Sequence, residues 1–438
     1  MKLVSTRGQA PPSDVRSALF RGLAPDGGLY QPDSLPRLGP EAVNDLRHAG
    51  WPETASRLAR LLLADEWEAP ELAAVVRDAL DFPVPLRRVG PRVHVLELFH
   101  GPTLAFKDVG ARFLARAMAS LRGGSDGEPP TVLVATSGDT GSAVGDAFRR
   151  LTDFPVVILY PEGRIGERQE RHLTRIGGNV TAVAVTGGTF DDCQRLVKHA
   201  FGDEELRQAA RLTSANSINV GRLLPQIFYH VHALARLGDG APSRETVVSV
   251  PSGNLGNLTA GLMAKRMGAD ADLFVAATNR NDVLRRYLES GQVEPRPTVS
   301  TLSNAMDVGE PSNLERLRHL YGDDVDRLRE ELAASSHDDG ETRRTIADVH
   351  DRHGYLLDPH TAVGWRALEE ELRKRPEATG VVLSTAHPAK FADVVGPLVD
   401  EEVPVPDRWA EALERGEGRR ERIDPEPEAL RELLLAGV

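Results

Sequence analysis

The chain carries one cysteine, Cys193, in 438 residues. That excludes an internal disulfide and fits a reducing compartment, with Cys193 read as a small buried packing residue. No run of eighteen apolar residues occurs, so no membrane span is expected. The opening stretch, "MKLVSTRGQAPPSDVRS", has no apolar segment behind its first basic residue. A secretory signal is therefore not expected, and the expected location is cytoplasmic. Positive charge is in deficit at a net −12, which argues against a nucleic-acid partner, because phosphate backbones call for a basic surface. No GxxxxGK[ST] or G-x-G-x-x-G pattern occurs, and no clustered Cys/His/Asp spacing points to a metal. Lysine is scarce as well. Lys2, Lys107, Lys198, Lys265, Lys374 and Lys390 stand against 47 arginines, so each retained lysine needs its own explanation.

What remains is ordinary for a soluble globular protein, with 40% hydrophobic and 27% charged residues. Residues 1–92 mix turn-rich pieces such as "APDGGLYQPDSLPRLGP" with helical stretches, and are expected to form a small, mainly helical leading domain. From "VHVLELF" onward the pattern changes to short β-branched runs: "TVLVATS", "FPVVILY", "NVTAVAV", "ETVVSV", "DLFVAATN" and "TGVVLST". Each is almost continuously apolar and helical patterns separate them, as expected for strands buried on both faces. The predicted fold is α/β with a largely parallel sheet over 93–404. A polar insert at about 289–350 is expected to be a solvated helix pair, and the charged tail 405–438 to be helical.

Ligands in open α/β sheets bind beyond the carboxyl ends of the strands, so the loops there decide function. In "SVPSGNLGNLTAGLMAK" small residues expose successive backbone N–H groups as a helix opens, which suits a phosphate. "SANSINVGR" offers the amide of Asn216, the hydroxyl of Ser217 and the guanidinium of Arg222, a mix suited to phosphoryl oxygens, although an N-cap explains it equally well. In "ATSGDTGSAVGDAF", Ser137, Gly138, Thr140, Gly141 and Ser142 begin a helix directly after a strand and could hold a carboxylate. Asp139 in their midst would repel that carboxylate unless it caps the helix or faces a donor. Together these loops point to a phosphorylated cofactor beside a phosphorylated amino or hydroxy acid.

That gives Lys107 a purpose. A lysine that forms Schiff bases needs a partly neutral amine, which apolar surroundings and a helix N-terminus favour, and arginine cannot replace it. "TLAFKDVGARFLARAMASL" puts Lys107 near a helix start amid Leu104, Ala105 and Phe106.

The stretches "DGGLYQP", "FHGPTLAFKDVGARFL", "ATSGDTGSA", "GTFDDCQ", "NSINVGRLLPQ", "PSGNLGNLTAG", "DPHTAVG" and "STAHPAKF" occur in one order over about residues 26 to 391. This ordered set resembles the threonine synthase family of pyridoxal-phosphate enzymes of fold type II, in its longer bacterial and fungal branch. The resemblance implies two mainly parallel sheets with pyridoxal 5′-phosphate between them. It implies that Lys107 bears the cofactor and shuttles protons, that Ser252, Gly253, Asn254, Leu255, Gly256 and Asn257 hold its phosphate, and that Thr385 meets its pyridine nitrogen. Asp139 stands where many fold type II relatives carry asparagine beside the 3′-oxygen, so that contact is left open. Ser137, Gly138, Thr140, Gly141 and Ser142, with Asn216, Ser217 and Arg222, fall to the substrate. The implied substrate is O-phospho-L-homoserine and the implied state a monomer or homodimer. His360 and His387 are expected to be structural. The alternatives are another fold type II activity, such as threonine/serine dehydratase, and a catalytically silent metabolite-binding homologue.

Overall fold

The computed structural model describes residues 1–123, 129–237 and 245–437. Its strands are β1 (Leu3–Ser5), β2 (Tyr30–Pro32), β3 (Leu86–Arg88), β4 (Val93–Glu97), β5 (Thr131–Ala135), β6 (Val156–Pro161) and β7 (Val180–Val185). They continue as β8 (Leu212–Ser214), β9 (Thr246–Pro251), β10 (Leu273–Thr278), β11 (Leu332–Ser336), β12 (Thr379–Ser384) and β13 (Arg419–Ile423). One sheet runs β11-β10-β9-β12-β4-β3 and is parallel except at its β3–β4 edge. The other, β13-β7-β6-β5-β8, is parallel throughout. Every residue of β6, β7, β9, β10 and β12 is buried, which is why these strands read as unbroken apolar runs.

The leading residues hold the antiparallel β1–β2 pair and the helices Val15–Arg21, Pro40–His48, Trp51–Leu63 and Ala69–Ala79. The last three each have proline in the first two positions, where its missing N–H costs nothing. Trp51, Leu58 and Leu62 share one apolar core with Phe113 and Phe228. That core surrounds the helix Val220–Leu237, in which every residue but Arg236 is buried. Cys193 is buried too, and burial pushes its thiol up to about 12, in keeping with a packing role.

Two expectations are corrected. The insert is not a solvated helix pair: β11 adds a strand to the six-stranded sheet, and the helix Asp339–His353 buries Thr342, Thr345, Ile346 and Val349. The tail is not wholly helical, since "RRERI" forms β13 on the edge of the other sheet. Both are edge strands, where one partner suffices and polar residues are tolerated. Among the described residues no helix is long and apolar enough to cross a membrane.

Three core histidines set a pH dependence. Burial draws His172 down to about 3 and His230 and His232 down to about 4. Their pKa in the unfolded chain is about 6.5, so below that pH the unfolded state binds protons that the folded state refuses. Stability present above pH 6.5 is therefore lost as pH falls towards the folded values, by about 1.4 kcal/mol per pH unit for each histidine. Urea melts should show a lower midpoint at pH 5.5 than at pH 7.5; an unchanged midpoint contradicts this.

Candidate active site

Lys107 is placed by backbone pairing with the end of β12. Phe106 N–H donates to the Thr385 carbonyl (2.9 Å), His387 N–H donates to the Leu104 carbonyl (3.0 Å), and Ala105 bridges Ala386. The turn before the lysine closes on Asp108, whose carboxylate accepts from Thr103 Oγ1 (2.6 Å) and Thr103 N–H (2.9 Å). A Cβ at Gly101 would stand 2.4 Å from that carboxylate, so the turn needs a glycine there. Lys107 then opens the helix Lys107–Arg122. Its side chain is 13% exposed, and Nζ lies 4.9 Å over the Phe106 ring and 3.6 Å from Asp139 Oδ2. Desolvation draws its pKa below the ordinary lysine value; Asp139 opposes this, while Lys390 and Arg222 reinforce it. The amine is thus poised for the nucleophilic role that the sequence pattern requires.

Asp139 is the first residue of the helix Asp139–Phe148 rather than its cap, and it is buried. Its Oδ1 accepts from Gln169 Nε2 (2.9 Å) and lies 2.5 Å from Lys390 Nζ. Burial works against its charge, but Lys390 and Lys107 outweigh that and hold the carboxyl well below the usual range. The repulsion foreseen for Asp139 is met by facing donors. Sequence reasoning missed Lys390 and Gln169. The signal for Lys390 was the same lysine scarcity that singled out Lys107.

The turn after β9 is the phosphate-type cradle. Ser252 N–H donates to the Ala277 carbonyl (2.8 Å), and Ser252 Oγ donates to the Val250 carbonyl (2.7 Å). Leu255 adopts φ 62, a left-handed conformation unusual for leucine, and Gly256 opens the helix Gly256–Met267. Tyr229 OH lies 2.7 Å and His230 Nε2 2.9 Å from Asn257 Oδ1, which fixes that atom as the acceptor. Asn257 Nδ2 is then a buried donor with no partner among the described residues. Over Gly253 lies the 304–307 segment, held by Ala305 N–H donating to His360 Nε2 (3.2 Å) while His360 Nδ1 donates to Asp358 (2.7 Å). His360 therefore positions the cover. His387 caps the turn Pro388–Phe391 by accepting from Ala389 N–H (3.1 Å).

One cleft is lined by Lys107, Ser137, Asp139, Thr140, Asn216, Ser217, Arg222, Ser252, Gly253, Asn254, Leu255, Gly256, Asn257 and Thr385. Gly138, Gly141 and Ser142 do not line it. The N–H groups of Gly138 and Gly141 donate to Thr136 Oγ1, and Ser142 Oγ is buried without a partner among the described residues. The Asn216 amide pairs with both backbone groups of Ala135, and Ser217 Oγ accepts from Asn254 Nδ2 (2.6 Å). Arg222 is buried, donates from Nη1 to the Ala215 carbonyl (2.6 Å) and leaves Nε without a partner among the described residues; burial draws its pKa down to about 10.

The turn bearing Ser217 is fastened by the fully buried Arg316, which donates to the carbonyls of Tyr30 (3.0 Å), Ser217 (2.9 Å) and Ile218 (2.5 Å) and to Asn313 Oδ1 (2.6 Å). Arg316→Met would strand those acceptors at about 1–3 kcal/mol apiece before relaxation. A fall in stability of about 3 kcal/mol or more is expected in a urea melt; a change below about 1 kcal/mol contradicts it. Away from the cleft, His337, Glu341 and Glu370 bring possible metal-ligand atoms within 4.8 Å, but Arg366 lies against both carboxylates.

Pyridoxal phosphate fits this donor set. An amine drawn towards neutrality, an unpaired amide donor on Asn257, a left-handed turn opening a helix and the hydroxyl of Thr385 converge on one cleft. The family model described as "Pyridoxal-phosphate dependent enzyme" matches residues 80–385, "Threonine synthase N terminus" matches 2–80 and "Threonine synthase, C-terminal" matches 361–434. Threonine synthase of Haemophilus influenzae is 45% identical over 390 residues, 89% of each chain. The crystal structure of threonine synthase from Escherichia coli superposes with a TM-score of 0.93 at 40% identity, covering 100% of both chains. A threonine synthase from Brucella melitensis, solved with pyridoxal phosphate bound, gives 0.90 at 38% identity, covering 100% of this chain and 99% of that one. Relatives this similar over this much of the chain set aside the dehydratase and silent-homologue readings, and the chain belongs to the threonine synthase family of pyridoxal-phosphate-dependent enzymes.

Proposed function

We propose that the chain converts O-phospho-L-homoserine and water into L-threonine and phosphate. The observation carrying this is the Lys107 amine, drawn towards neutrality by burial, in a cleft whose walls also carry the 252–257 turn and Arg222. Pyridoxal phosphate, when bound, supplies the electron sink for charge developing at the substrate α-carbon. The 252–257 turn and Asn257 would hold its phosphate, Thr385 its ring nitrogen, and Asp139 would face its 3′-oxygen side. Lys107 takes the proton from Cα and helps remove one from Cβ while the Cγ–O bond breaks and phosphate leaves with that electron pair. It then returns one of these protons to Cγ and the other to Cα, while water delivers its hydroxyl to Cβ and its remaining proton balances the one the departing phosphate takes up. Ser137 and Thr140 offer hydroxyls to the substrate carboxylate, above the turn shaped by Gly138, Gly141 and Ser142. The unpaired Nε of Arg222, beside Asn216 and Ser217, is the group suited to the departing phosphate.

In this reading residues 93–404 are the catalytic region, 1–92 and 405–438 flank it, and the protein works in the cytoplasm as a monomer or homodimer. The test is a steady-state assay of phosphate and threonine. Equal amounts of both from O-phospho-L-homoserine are expected; faster turnover of free serine or threonine would overturn the proposal.

A further inference from the structure

Lys390 has no role in the reaction outlined above, yet its side chain is 0% exposed. Its Nζ donates to the Thr103 carbonyl (3.0 Å), lies 2.5 Å from Asp139 Oδ1 and sits 5.4 Å over the Trp409 ring. It arrives on the short turn Pro388–Phe391 directly after β12, so the strand end that supplies Thr385 also anchors this charge. The two oxygens of Asp139 are divided. Oδ1 is taken by Lys390 and Gln169, while Oδ2 faces Lys107 at 3.6 Å. Other charged or titratable groups around this cluster include Arg222 from the helix Val220–Leu237, Asp108 beside Lys107, His172 and His387 near Lys390, and His360 towards Asp139.

A buried carboxylate with a single cationic partner holds the proton on that partner, because releasing it strands an uncompensated charge. Were Lys107 the only lysine at Asp139, its amine would be locked in the charged form that cannot attack an aldehyde or accept a proton. We propose that Lys390 is a positioning residue for the reaction, the resident counter-ion of Asp139, which lets the Lys107 amine give up its proton while the carboxylate stays paired. A plain structural ion pair would hold the helix Asp139–Phe148 in place but would leave the Lys107 proton where it was.

The proposal rests on Lys107 being the reactive amine. It is tested on the full-length, cofactor-free chain by competitive acetylation over a pH series, with the peptide containing Lys107 read by mass spectrometry. Lys390→Met should raise the Lys107 midpoint by about one to three pH units, reducing its labelling near pH 8 about tenfold or more. Lys390→Arg, which keeps the charge, should stay close to the parent. Asp139→Asn, which leaves Lys390 without its carboxylate, should move the midpoint the opposite way, downward. A Lys390→Met midpoint that is unchanged or lower overturns the proposal. Should that variant fail to fold, Asp139→Asn decides: an unchanged or raised midpoint overturns it. No substrate or cofactor enters the measurement, so failure here leaves the proposed reaction standing.

Discussion

Lys107→Ala lowers threonine formation by about 10²-fold to 10⁴-fold, the size of effect that follows loss of a positioned acid–base group. The side chain it removes is the amine whose surroundings the fold is built to adjust: an apolar turn closed by Asp108, the Phe106 ring, and a carboxylate at 3.6 Å. Lys107→Arg should be as inactive as the alanine variant, since a guanidinium keeps its proton at any working pH and cannot form an imine. Both variants should melt near the parent temperature in the absence of cofactor, because Asp139 keeps Lys390 and Gln169 as partners. The check is a coupled assay of phosphate and threonine alongside thermal melts. A Lys107→Arg protein retaining a substantial fraction of the parent rate contradicts the assignment.

Gly253→Ala weakens cofactor retention by about ten- to a hundredfold, whereas Gly256→Ala, three residues on, leaves it nearly unchanged. A Cβ at Gly253 would stand 2.7 Å from Met306 Cα and 3.0 Å from the Ala305 carbonyl, which are backbone atoms rather than the yielding end of a side chain. Nor can that cover shift cheaply. Asp307 is bonded by Asn279, Asn281 and Thr301, and Ala305 is held by His360. Forcing a methyl into so tight a gap costs about 1–3 kcal/mol, and the strain falls on the turn that would hold the cofactor phosphate. At Gly256 the nearest atom to an added Cβ is Asn313 Nδ2 at 3.5 Å, an ordinary contact, and alanine suits the first turn of a helix. Fluorescence titration of each cofactor-free variant with pyridoxal phosphate measures the contrast. Equal affinities for the two variants contradict it.

The parts of this molecule that can be read from its sequence are those whose chemistry is local. β6, β7, β9, β10 and β12 are legible because burial on both faces leaves an unbroken apolar run. Lys107 is legible because a lysine in an apolar turn at a helix start is out of keeping with an arginine-rich chain. β11 and β13 are not, since "LAASS" and "RRERI" carry no core pattern and become strands only through the sheet edge they meet. The pairing of Asp139 with Lys390 and Gln169 joins three separate stretches of chain, and the cover of Gly253 by Ala305 and Met306 joins two more. Spacing along the sequence carries no trace of such contacts.

Two lysines flank Asp139, Lys107 partly buried and Lys390 fully so, with opposite tasks: one amine joined to the cofactor, the other kept as a charge. Borohydride reduction of the pyridoxal-phosphate-loaded protein, followed by peptide mapping, distinguishes them directly. The pyridoxyl mass is predicted on the peptide containing Lys107 alone. Its appearance on Lys390, or on no lysine at all, would contradict the account.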